Sequence, residues 1–92
     1  MRKTIQGRQF DTDRSQVIGG YLFDPDAGSS WWTATLYRSP KSRRYFLAGE
    51  GGIMSRWRGG KTIIELTDEQ AREWAEEHLG EEVVKEHFEE VA

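Results

Sequence analysis

Apolar positions along the chain change their spacing twice, and each change predicts a change of element. In "LTDEQAREWAEEHLG", Ala71, Trp74, Ala75 and then His78 or Leu79 recur at i, i+3, i+4, i+7 and i+8, which is one apolar stripe on a helix. Thr67 stands before this stripe with Gln70 three residues on, a capping box, and Gly80 follows it as the residue that closes the helix. Val83, Val84, His87, Phe88 and Val91 repeat the spacing, so a second amphipathic helix is predicted over Glu81 to Val91. Upstream the period falls to two. "WWTATLYR" sets Trp32, Ala34 and Leu36 on one face and Trp31, Thr33, Thr35 and Tyr37 on the other, a strand over Trp31 to Arg38. After "SPKS" a partner strand is predicted over Arg44 to Ala48, and "KTIIEL" reads as a strand running directly into the capped helix.

The N-terminal third is less regular. "KTIQG" is predicted as an edge strand, Gln16 to Phe23 as a short helix or a strand, and "DPDAGSS" as a loop. The expected fold class is α+β: an antiparallel sheet of about four strands with the two C-terminal amphipathic helices packed on one face. At 92 residues the chain supports one hydrophobic core and one domain. Apolar residues at 36% and charged residues at 32% belong to a folded, soluble composition.

Charge changes the picture more than composition does. Residues 1–60 hold ten Lys/Arg against five Asp/Glu, and residues 61–92 hold three against eleven, so +5 is followed by −8. The absence of cysteine removes disulfides, thiolate metal sites and a Cys nucleophile. No apolar run approaches a membrane span or a secretory signal, and the expected compartment is the cytosol.

Candidate chemistry begins with "LAGEGGIMSRWRGG" before Lys61 and Thr62. A phosphate-cradling loop needs Gly, four residues, then Gly-Lys-Ser/Thr opening a helix. Here the first glycine falls on Ser55, and Ile63 and Ile64 continue a strand. The dinucleotide pattern also fails, because its third glycine falls on Met54. The glycines therefore read as backbone freedom where a strand leaves the sheet, displaying Glu50, Ser55, Arg56 and Trp57 on a shaped loop as candidate partner contacts. Of the four tryptophans, Trp32 and Trp74 are expected in the core, and Trp31 and Trp57 partly exposed. His78 and His87 lack a metal-ligand spacing, and no Ser/His/acid set is flagged, so neither a metal, a cofactor nor an enzyme is expected.

Two charged surfaces remain. Arg38, Lys41, Arg43, Arg44 and Arg58, interleaved with Tyr37, Tyr45 and Trp57, form a candidate nucleic-acid patch, opposed by the acidic balance of the whole chain. Glu73, Glu76, Glu77, Glu81 and Glu82, followed by Glu86, Glu89 and Glu90, read either as a solvated helix face or as a negative ridge that enters a basic groove.

"TIQGRQFDTD", "LYRSPKSRRYFLAGEGGIMSRW" and "GGKTIIELTDEQAREWAEEHL" together resemble a family of small bacterial proteins of similar length that travel with phages and other mobile elements. The chain departs from that pattern between Trp57 and Gly59, where relatives carry a longer insertion. The resemblance implies a small non-enzymatic inhibitor of host defence, with an anti-CRISPR protein that blocks a CRISPR effector subunit as the leading expectation. A nucleic-acid-binding accessory protein and a structural domain are the alternatives.

Overall fold

The structure, a computed structural model, describes residues 1–24 and 28–88. Six strands precede two helices: β1 (Arg2–Ile5), β2 (Arg8–Asp11), β3 (Gln16–Phe23), β4 (Trp32–Arg38), β5 (Tyr45–Gly51), β6 (Lys61–Leu66), α1 (Asp68–His78) and α2 (Glu81–His87). Strands β3 to β6 form an antiparallel meander in sequence order, and β1 and β2 form a separate two-stranded sheet. The α+β expectation therefore holds, with four strands in the main sheet and both helices on one of its faces.

Each local element has a readable cause. Thr67 Oγ1 accepts from the Gln70 amide at 3.1 Å and Gln70 Oε1 accepts from the Thr67 amide at 2.9 Å, closing the capping box. Gly80, at φ +92°, ends α1, and its amide and that of Leu79 both reach the Ala75 carbonyl. Thr67→Ala is expected to cost about 1 kcal/mol, seen as a lower urea midpoint at unchanged slope. An unchanged midpoint would mean that helix packing alone fixes this end. Of the expected Glu81 to Val91 helix, Glu81–His87 is helical, while Glu89, Glu90 and Val91 lie outside the described residues.

The hydrophobic alternation on β4, β5 and β6 serves two cores on opposite faces of the sheet. Leu36, Tyr45, Leu47 and Leu66 face the helices and pack with Ala71, Trp74, Ala75 and Val84. Phe46 and Ile63 face the other way and pack with Phe10, flanked by Tyr37 and Ile5. The β1–β2 hairpin thus covers part of the face that the helices leave bare. Glu65 binds it electrostatically as well, with Oε2 3.2 Å from Arg8 Nη1, and the same oxygen lies 3.6 Å from Nε of Arg44 beside β5.

Two sequence expectations are made definite and one requires correction. "KTIQG" is a strand as expected, and it forms one arm of a hairpin, because Gln6 and Gly7 both adopt positive φ and turn the chain in two residues. A three-residue 3-10 turn over Thr12–Arg14 precedes β3, and of the two readings open for Gln16–Phe23 the strand is the one observed. The partner strand of β4 runs to Gly51, not to Ala48, so Gly49 and Gly51 lie inside β5.

Candidate functional site

The Gly-rich segment closes on itself. A side chain at Gly49 would meet the Trp57 ring at 2.6 Å and the Thr33 carbonyl at 2.8 Å, and one at Gly52 would run into the backbone of Ser29. These glycines are thus required by close approach, not by left-handed backbone. Ser55 is buried and donates from Oγ to the Gly52 carbonyl at 2.6 Å while accepting from the Trp57 amide at 3.1 Å. Trp57 itself is 5% exposed and belongs to the helix-side core, which corrects the expectation that it is partly exposed. The indole turns inward because β5 offers it glycines to lie on.

Of the four loop residues expected to contact a partner, Ser55 and Trp57 therefore hold the loop in place. Glu50 is half-buried and lies 3.6 Å from Lys61. Arg56 is exposed, with its guanidinium 5.5 Å from the Trp57 ring centroid. Among the described residues the loop's exposed apolar side chains are Ile53 and Met54, which alternation along the sequence did not single out. Trp31 is half-buried, as expected, and Trp32 packs at the margin of the core.

The basic residues do not form one patch. Arg38, Lys41, Arg43 and Arg44 flank the β4–β5 turn, whereas Arg56 and Arg58 lie beyond the far end of β5. Seven strand residues at about 3.3 Å each separate the groups by roughly 20 Å. Arg44 is engaged by Glu65, and Arg38 sits 5.4 Å from the Tyr45 ring centroid on the helix side. Lys41 instead shares a cleft of about 400 Å³ with Arg8, Arg14 and Asp11, between the turn and the small sheet. Arg8 and Arg14 were not among the expected site residues, because only the tertiary fold brings residues near position 10 to the turn near position 41.

The acidic residues do share a surface. Glu73, Glu76, Glu77, Glu81 and Glu82 are all exposed on the outer side of the helices, and Glu76 and Glu81 line one groove between α1 and α2. From Asp68 to Phe88 eight carboxylates face two cations, Arg72 and Lys85, with His counted neutral. Arg72 Nε lies 3.0 Å from Glu76 Oε1 in an exposed i,i+4 pair, which offsets little of this excess. The helices are thus an acidic layer, with the hairpin bearing Arg2, Lys3 and Arg8 on the opposite face of the sheet.

His78 is accounted for by packing. His78 is ringed by Tyr21, Trp32 and Trp74 at centroid distances of 4.7, 5.3 and 4.8 Å, and its Nδ1 lies 3.1 Å from the Trp74 carbonyl. Among the described residues no group of three or more His, Asp or Glu is placed to hold a metal ion. No helix among them is long and apolar enough to cross a membrane. Comparisons with protein-family models, with curated proteins and with solved structures gave no match to the chain.

Proposed function

We propose that the chain acts by binding another protein, as a stoichiometric inhibitor whose acidic helical layer occupies a basic, nucleic-acid-binding surface. The supporting observation is the one-sided excess of carboxylates over cations on α1 and α2, carried on a rigid sheet that keeps the basic hairpin on the other side. A surface of this kind presents negative charge at fixed spacing to a groove built for phosphates, and steers its own association. The resemblance to mobile-element proteins points to a CRISPR effector as the target, and an anti-CRISPR role follows from that pairing. Steric occupation requires no catalytic residue and no cofactor.

Purified CRISPR effectors with their guide and a labelled target duplex provide the test. The chain is expected to block duplex binding, more weakly as salt is raised. Combined Glu73→Lys, Glu76→Lys and Glu77→Lys should weaken the block at least about tenfold with the fold retained by circular dichroism. Undiminished inhibition by this variant would remove the acidic layer from the mechanism, and no inhibition of any effector would remove the target class.

One observation favours a second reading, direct nucleic-acid binding: Arg8, Arg14 and Lys41 line a common cleft. That reading requires salt-dependent oligonucleotide affinity lost in Lys41→Glu with Arg43→Glu.

A further inference from the structure

The two free edges of the main sheet are finished differently. The β6 edge carries Lys61 and Glu65, and Lys3 of the neighbouring hairpin reaches over it to donate from Nζ to the Ile63 carbonyl at 3.4 Å. Charges of this kind are how natural sheets prevent edge-to-edge pairing. The β3 edge has none of them. From Ser15 to Phe23 no residue is charged and none is proline, β3 pairs among the described residues only with β4, and Val17 and Leu22 are 58% and 60% exposed.

The one protective irregularity is a bulge between Val17 and Gly19, and it leaves Gly19 to Phe23 in regular register with β4. That segment reads Gly-Gly-Tyr-Leu-Phe, small residues before Tyr21 and large ones after it. Laid antiparallel on a second copy with the two Tyr21 residues opposite, it sets Gly19 against Phe23 and Gly20 against Leu22, twice over by symmetry. Each large side chain apart from Tyr21 then lies opposite a glycine across the strand pair, so no two of them compete for one place. Pairing one residue out of step would set the outward-facing amides and carbonyls of one edge against residues whose backbone groups already point to β4, and no ladder would form. A second copy also brings no charged side chain into the pairing, although each chain carries a net charge of −3.

We infer that the β3 edge is a self-association surface, at which two copies of the chain pair antiparallel through Gly19 to Phe23 about a two-fold axis at Tyr21. The axis stands perpendicular to the sheet, so the pair forms one eight-stranded sheet with all helices on the same side. The inference uses no part of the inhibitor reading, and the two can fail separately.

Sedimentation velocity over a concentration series tests it on the unmodified chain. The expected result is a monomer–dimer equilibrium that shifts to monomer in Leu22→Lys, an exposed edge position where lysine leaves the fold intact. Register is tested by Tyr21→Cys, the only thiol in a cysteine-free chain. Directly opposed residues lie about 4.5–5.5 Å apart at Cα, within disulfide range, so mild oxidation should give a covalent dimer at least about ten times faster than Leu22→Cys. A chain monomeric at every concentration overturns the inference, including the case in which β3 accepts only a strand from a different protein. A dimer indifferent to Leu22→Lys overturns it as well, and equal or faster crosslinking by Leu22→Cys overturns the register.

Discussion

Trp57→Ala is expected to destabilise the fold by about 3–5 kcal/mol, lowering the thermal midpoint by on the order of 20 °C. The indole lies in the helix-side core against Gly49, so its removal opens a cavity that glycine-rich surroundings have no side chains to refill. It also frees the segment over residues 52–60, whose remaining internal ties are the Ser55 hydrogen bonds and a few backbone turns. Small domains hold a net stability of about 5–15 kcal/mol, so a loss of this size is a large share of the whole. Thermal and urea unfolding followed by far-ultraviolet circular dichroism gives the answer. A change below about 1 kcal/mol, within the range of surface substitutions, would return Trp57 to the list of partner contacts.

Phe10→Ala is expected to release the N-terminal hairpin while the four-stranded sheet and helices persist. Phe10 is 0% exposed, its ring centroid is 5.2 Å from that of Phe46, and it is the buried hydrophobic residue that the hairpin contributes to the second core. Truncating such a phenylalanine costs about 3–5 kcal/mol where the structure must stay assembled. Here it need not. The Lys3 and Arg8 contacts that would remain are exposed or partly exposed polar links of small worth, and a two-stranded hairpin is marginal by itself. Amide hydrogen exchange should therefore show β1 and β2 losing protection while β4 and β5 keep theirs. Uniform loss across all strands would mean that the two cores form one cooperative unit.

The C-terminal half of the fold was legible because its signals are local. A capping box, a helical stripe and a closing glycine fall within fourteen residues, from Thr67 to Gly80, and none depends on a distant neighbour. The hairpin of β4 and β5 was legible for the same reason, up to the point where Gly49 enters. Glycine inside a strand reads as the end of that strand unless the ring that covers it is known, and Trp57 lies eight residues further on. The β1–β2 turn was missed because Gln6-Gly7 does the work of the commoner Asn-Gly.

Surfaces were legible to the extent that secondary structure alone places them. The glutamates of α1 and α2 point outward by helical period, so their shared layer could be read in advance. The arginines could not be sorted in this way. Arg56 and Arg44 are close in sequence and at opposite ends of a strand, whereas Arg8 and Lys41 are far apart in sequence and line one cleft. Edge position is likewise a property of the sheet order, and only that order turns the uncharged run from Ser15 to Phe23 into an exposed edge.

The docking of β1 and β2 beside β6 also sets an order of assembly during synthesis. Lys3 meets Ile63 and Arg8 meets Glu65, sequence separations of 60 and 57. The hairpin itself closes in about 1–10 μs once made. Its seat does not exist until some sixty further residues have been added, roughly 3 to 12 seconds at ordinary rates of translation. Over that interval β1 and β2 carry Ile5 and Phe10 without a core, while the meander from β3 to β6 assembles from neighbours in sequence. The hairpin is thus made before the meander and seated only after it.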